Sequence, residues 1–366
     1  MMRTKLFGMG AAGNKASILA TQSNIIDENN VILINSTITD IPTDYKGQKF
    51  ELPGKVGGTG KDRNISKKQA IAAIKNGDID LEKILIGNGE DGKVDQVIFV
   101  TSTDGGSGSG STVEFAKHII REMKIPVMIF AFIGRSRDIH GLRNTVEFFK
   151  EIPTECTVQI IINEFCADGV DDFDESRIET MANNEFCRKL SIVLGIPIES
   201  NNSEQNLDKR ELMKLRTTPG YMIVDSRVFD QKIKNSDVVK KETEAMFSGM
   251  KSPYPDKPDM KRVGIIYNSE KEESQFMNIL PYVNSEFGLS YEVFTHRQYI
   301  TERPRMLAVI MAGLSMPMQE ITSVYEQYKD ATNSINKSKD SFFDAVKDME
   351  FDDDSMFDDF DKDFNF

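Results

Sequence analysis

Short apolar runs rich in β-branched residues alternate with longer stretches of helical period through the first half of the chain. Thr4–Gly8, Val31–Ile34, Val97–Thr101, Val127–Ile133 and Val158–Ile162 read as strands, and Ala16–Ser23, Ser66–Asn76 and Val113–Met123 as helices between them. Runs without a polar face belong to strands covered on both sides, and strands separated by helices make a parallel, doubly wound α/β sheet. Glu175–Leu194 follows with a helical stripe of Ile178, Met181, Phe186, Leu190 and Val193. Ile196–Asn206, rich in Pro, Asn and Ser, breaks the pattern as a loop.

A second, smaller α/β unit is expected over 217–314, with strands at Val263–Tyr267, Tyr291–Phe294 and Met306–Met311 and a loop at Pro253–Pro258. Pro317 opens a long helical pattern that runs to about Ala345, proline being at home in a first helical turn. The expected organisation is a first domain over 1–174, a central core helix over 175–195, a second domain over 217–314, a C-terminal helix over 317–348 and a tail over 349–366. The tail has no helix-favouring period and reads as disordered.

Composition narrows the function classes. The 366 residues and 39% hydrophobic content support a real core. No apolar run is long enough to span a membrane, and the start, Met1 to Gly8, meets glycine too soon for a signal peptide. A net charge of −13 argues against direct contact with nucleic acid, which needs a basic face. Cys156, Cys166 and Cys187 are odd in number and fit no metal spacing, so they read as reduced, buried thiols of a cytoplasmic protein.

Two glycine-rich segments each follow an expected strand and lead into a helix. The first, Gly8-Met9-Gly10-Ala11-Ala12-Gly13-Asn14, has the GxGxxG spacing of a dinucleotide loop. A dinucleotide fold should also end its second strand on an acidic residue, and that strand here ends in Asn35-Ser36-Thr37. The second is Asp104-Gly105-Gly106-Ser107-Gly108-Ser109-Gly110-Ser111-Thr112. Glycines at a strand-to-helix junction let the backbone approach an anion, with N–H groups and the helix dipole pointing at it. A flexible Gly/Ser linker is the bland alternative, and linkers do not separate a buried strand from a core helix. No lysine follows the glycines as in a Walker loop; Gly87–Lys93 has that spacing but precedes its strand, and reads as a surface turn.

The second loop resembles the GGGTG signature of the tubulin/FtsZ superfamily, with Asp104 where the first glycine usually stands, and the order of elements is similar from about Thr4 to Leu314. Length, the degenerate motif and the acidic tail are most similar to the TubZ/PhuZ branch of plasmid and phage relatives. The resemblance implies a tubulin/FtsZ-like fold, GTP or GDP with Mg²⁺ as bound species, and hydrolysis coupled to filament assembly. It places nucleotide contacts at Gly10, Ala11, Ala12, Gly13, Asn14 and Asn35, and at Asp104, Gly105, Gly106, Ser107, Gly108, Ser109 and Gly110. Gly58, Thr59, Gly60 and Lys61 resemble the loop that faces the γ-phosphate, a solvated hairpin being the alternative. Arg137 matches a basic position near the phosphates, Asn163 one near ribose and guanine, and Asn183 or Asn184 the amide that reads guanine.

The family's acidic ribose contact after the fourth strand of the sheet has no counterpart in Phe132–Arg137, and no residue is secure as a metal ligand. Pro219–Asp225 resembles the PGLxNxD loop whose carboxylate enters the next subunit and polarises water. On that reading Asp225 is catalytic, with Asp230 in reserve, Ile223 standing where the family has Asn and Val228 where it has a second acid. A helix N-cap is the competing role for Asp225.

The tail sets Phe351, Phe357, Phe360, Phe364 and Phe366 among aspartates. It reads as a docking segment for a neighbouring subunit or a basic, DNA-binding adaptor, or else as a solubiliser. With an adaptor, the filament would serve plasmid or phage DNA partition in a bacterial or phage-infected cytoplasm. The alternatives are a nucleotide-binding scaffold that assembles without hydrolysis and an NAD(P) oxidoreductase built on GxGxxG alone.

Overall fold

The computed structural model describes residues 3–347 apart from 55–57, 88–91, 135–137, 168, 170–173, 199–202, 258 and 300–303, with backbone alone at 203–205 and 336–347. Arg137, most of the Gly87–Lys93 turn and the tail over 349–366 therefore lie outside the described residues.

Six strands form the first part of the sheet: β1 (Thr4–Met9), β2 (Val31–Asn35), β3 (Gln48–Glu51), β4 (Gln96–Ser102), β5 (Val127–Ile133) and β6 (Thr157–Ile162). They are all parallel and stand in the order β3-β2-β1-β4-β5-β6. The order reverses at β1, so the loops leaving β1 and β4 open a crevice at the carboxyl edge, the place where such sheets bind ligands. Helices α1 (Gly10–Gln22), α2 (Arg63–Asn76), α3 (Leu81–Leu85), α4 (Ser107–His118) and α5 (Ile139–Glu151) connect them. Alternate strand residues go to opposite faces. Phe7, Ile32 and Phe99 pack in one core, and Leu6, Leu33, Ile98 and Phe130 in the other, which explains the unbroken apolar runs.

Helix α6 (Glu175–Val193) crosses the second core with Ile178, Ala182, Phe186 and Leu190 at helical spacing, all at most 1% exposed. Phe186 meets Phe130 edge-on at 5.0 Å between ring centroids. Burying such a ring contributes about 2–3 kcal/mol, enough to hold the helix in place without an exceptional propensity. A short strand, β7 (Ser203–Gln205), and α7 (Lys209–Arg216) follow.

The rest of the chain supplies β8 (Gly220–Phe229), α8 (Ser236–Ser248), β9 (Met260–Ser269), α9 (Leu280–Phe287), β10 (Ser290–Tyr299), β11 (Arg305–Leu314) and α10 (Met318–Lys347). Strand β8 pairs in parallel with β6, so the sheet continues across the expected boundary between the two halves as β6-β8-β11-β9-β10-β7. Antiparallel pairing on both sides of β11 makes this half mixed.

The three cysteines are free and buried. Among the described residues no helix is long and apolar enough to cross a membrane.

Two helices begin earlier than expected. α1 starts at Gly10 rather than Ala16, and α4 at Ser107 rather than Val113. The glycine segments are thus largely first helical turns.

Candidate functional site

At the end of β1 the chain turns into α1 through Gly10, whose φ of +72° lies in the left-handed region that favours glycine. A Cβ there would stand 2.8 Å from the Gly108 nitrogen, and one on Gly108 would stand 2.5 Å from the Met9 carbonyl. The two glycine segments therefore touch backbone to backbone, which side chains would prevent. Because both enter helices here, the free N–H groups of two first turns converge on one place, with both dipoles positive toward it. Ser107 ties in the other loops: its hydroxyl lies 2.5 Å from that of Ser36 and 3.3 Å from that of Thr59.

These loops surround a cavity of about 700 Å³ at the carboxyl edge of the parallel strands, within the usual range for a small-molecule site. Of the expected contacts, Gly10, Ala11, Ala12, Asn35, Gly58, Thr59, Gly60, Lys61, Asp104, Gly105, Gly106, Ser107, Gly108, Asn163 and Asn183 line it. Gly13, Asn14, Ser109, Gly110 and Asn184 are not among its lining residues. Gly13 packs under the Val100 carbonyl, and Gly110 against the Arg63 carbonyl and the Ser66 hydroxyl. Ser109 turns its hydroxyl to the Gly105 carbonyl, Asn14 is buried, and Asn184 is exposed on the far side of α6. Once the helix begins at Ser107, only every third or fourth residue can face the cavity. Asn35 shapes the turn, accepting from the Ser36 amide at 2.9 Å and donating to Asp40 at 3.3 Å.

The electrostatics are unusual for a phosphate site. Asp40, Asp104, Asp138, Glu175 and Glu179 line the cavity beside Lys15 and Lys61. Lys15 pairs with Glu179 at 3.1 Å, and Lys61 with Asp138. Backbone N–H groups, rather than side-chain cations among the described lining residues, supply the attraction for an anion. Asp138 is a residue the sequence reading missed. It caps α5, accepting from the Gly141 amide at 2.9 Å, and brings a carboxylate into the cavity five positions past the end of β5. It lies one residue beyond Phe132–Arg137, which holds no acid, and its signal in the sequence is an N-cap aspartate three residues before glycine. The Asn163 Oδ1 is buried with no protein partner and is free to accept from a ligand. Among the described residues no cluster of His, Cys, Asp and Glu could hold a metal on its own.

Asp225 is neither on a loop nor at a helix N-cap. It sits inside β8, its side chain 6% exposed and 2.6 Å from the Arg188 guanidinium of α6. The register Gln159 to Met222 carries β8 toward the cavity edge, so Asp225 lies near the same end of the molecule as the cavity. A carboxylate that serves the next subunit of a head-to-tail chain must stand at the opposite end and be free to leave. Asp225 meets neither condition. Asp230 is exposed, one residue past the same strand.

The opposite end carries a better match. α6 starts at the cavity, where Glu175, Glu179 and Asn183 line it, and its last turn is about 15 Å beyond Asn183. The chain then reaches α7, whose Arg216 bonds Thr4 and Gln96 at the starts of β1 and β4, under the edge opposite the cavity. At the other end of α7 stands Asn206-Leu207-Asp208-Lys209-Arg210-Glu211. This is an Asn-x-Asp with a second acid three residues on, the spacing missing from the Pro219 segment. Asp208 is exposed and caps α7, and Glu211 returns a bond to its amide at 3.0 Å.

Sheet order, central helix and paired glycine turns define a tubulin/FtsZ fold. Among solved structures the chain is similar to the GTPγS-bound protofilament of CetZ2 from Haloferax volcanii, with a TM-score of 0.71 and 16% identity over 92% of this chain and 100% of that one. TubZ from Clostridium botulinum phage c-st aligns with a TM-score of 0.68 and 16% identity over 90% and 98% of the two chains. A GTPγS-form protofilament of TubZ from Bacillus thuringiensis serovar israelensis aligns at 0.73, with 16% identity over 93% and 94%. No family sequence model matches the chain, and no curated protein sequence does.

Proposed function

We propose that the protein binds GTP in the cavity between the glycine turns, assembles head to tail and hydrolyses the nucleotide at the contact between subunits. The observation that carries this reading is the convergence of two helix N-termini on one cavity, with an Asn-x-Asp-x-x-Glu turn at the opposite end. A filament repeat would set that turn against the γ-phosphate of the next subunit. Asp208 and Glu211 would then polarise the attacking water, a role that fits an exposed and a half-buried carboxylate held by a capping box. Asn163 Oδ1 and the Asn183 amide suit the N–H donors and O6 of guanine better than adenine.

The lining carboxylates disfavour a bare triphosphate, so the nucleotide would enter with Mg²⁺ held by its phosphates and water. Among the described residues no cluster of His, Cys, Asp and Glu builds a cage of its own for the ion.

Light scattering with GTP, GDP, ATP or no nucleotide, with phosphate release followed in parallel, tests the reading. GTP alone should raise scattering and then release phosphate; equal scattering without nucleotide would overturn it.

In the finer reading, the Phe/Asp tail docks a basic, DNA-binding adaptor and the filament moves plasmid or phage DNA. Deleting Asp352–Phe366 should abolish capture of such a partner while leaving GTP binding intact; unchanged capture would leave the tail a solubiliser.

A further inference from the structure

The segment joining α6 to α7 touches a buried pair of side chains on β10. His296 and Gln298 are two residues apart on one strand, hence on one face, and are 0% and 1% exposed. The Leu207 amide donates to His296 Nδ1 at 3.3 Å. With that nitrogen accepting, the neutral ring carries its proton on Nε2, which lies 2.9 Å from Gln298 Oε1. The oxygen so fixed, the Gln298 amide nitrogen donates to the Pro197 carbonyl at 2.6 Å. These bonds run in one direction from Leu207 to Pro197. Burial lowers the His296 pKa, against a smaller opposing effect of the Gln298 bond, and so keeps the ring neutral.

We infer that His296 and Gln298 clamp both ends of the α6–α7 segment and are positioning residues for the Asn206–Glu211 turn. Leu207 lies between Asn206 and Asp208, so the bond to its amide sets the direction in which the capping box faces out of the subunit. Strand β7 adds backbone pairing to the same strand, Gln205 opposite Arg297 and Ser203 opposite Gln298, which fixes the segment's path but not the orientation of Leu207. No water can replace the lost acceptor at a fully buried ring, so removing it leaves the Leu207 amide unpaired or turns it away. The inference rests on the reading of Asp208 and Glu211 given above, and it adds a second, remote strand to the catalytic apparatus.

Two measurements on the full-length chain test it: amide exchange in peptides spanning 203–208 in GDP-bound subunits, and phosphate release per polymerised subunit with GTP. His296→Leu should speed exchange about tenfold. It should also lower release about tenfold or more, the usual consequence of a displaced catalytic group, with GTP affinity unchanged. His296→Asn should restore both, because its Oδ1 can stand where Nδ1 stood. If His296→Leu does not fold, Gln298→Met frees the Pro197 end and should speed exchange over the same segment.

Exchange that does not respond, or that His296→Asn fails to restore, overturns the clamp. Faster exchange with unaltered release overturns the positioning role. Unaltered release in Asp208→Asn overturns instead the functional reading from which the inference starts.

Discussion

Two aspartates, seventeen positions apart, answer to the same short pattern and differ in almost everything else. Asp225 lies within β8, 4% exposed and bonded to Arg188, in a buried group of charges that also holds Glu185 and Lys189. Asp208 stands at the tip of α7, open to solvent, its carboxylate shared between the Arg210 and Glu211 amides. The first holds two elements of the chain together; the second is open to a contact from outside it. A motif names residue types, but only burial and partners decide whether a carboxylate has charge to lend elsewhere.

The largest effect that would sharpen this contrast is on hydrolysis. Asp208→Asn keeps the cap, since Asn serves as well as Asp at that position, and removes the charge. Phosphate release per polymerised subunit should fall about a hundredfold, the lower range for a general acid–base group, while assembly with GTP persists. Glu211→Gln should act in the same direction, and Asp225→Asn should not. Wild-type release from Asp208→Asn filaments, beside a loss in Asp225→Asn, would reverse the assignment.

The strands most legible in the sequence are β1, β2, β4, β5 and β6, whose apolar runs are covered on both faces and leave a continuous hydrophobic signature, whereas the largely exposed β3 leaves none. α5 was not legible: Gly141 and the β-branched Thr145 and Val146 weaken its propensity, and packing against α4 and α10 makes the helix. The cavity could be read from the two glycine segments, whereas the sidedness of its residues could not, because it depends on where α1 and α4 begin.

The contrast between the two segments has a physical reason. Tyr221-Met222-Ile223-Val224 is an apolar run of the buried-strand kind, which the likeness of Pro219–Asp225 to a loop motif obscures. Asn206 ends the Ile196–Asn206 stretch that reads as a Pro/Asn/Ser-rich loop, and Leu207 and Asp208 just beyond it carry no pattern of their own. In β8 the local hydrophobic pattern is the better guide.

The smaller effect concerns the interior group. Burial would raise the Glu185 pKa, but Lys189 and Arg188 outweigh it and bring the carboxyl down to about 2. A carboxylate depressed in the folded state stabilises fully above its unfolded pKa, roughly 4.3, and loses that stabilisation as pH falls through the folded value. Between pH 4.5 and 2 the wild-type protein should therefore lose roughly 2 kcal/mol from this site alone. Asp225→Asn takes one anion from Arg188. It should cost about 2 kcal/mol at pH 7, below the 3–5 kcal/mol of a fully buried pair, because the Arg188 side chain is 33% exposed. Urea unfolding across pH checks both expectations. An Asp225→Asn chain as stable as wild type at pH 7 would mean that Arg188 is held by Glu185 and the Ser226 hydroxyl and carbonyl alone. Asp225 would then have no structural bond that forbids it another role, and the contrast with Asp208 would rest on position in the fold.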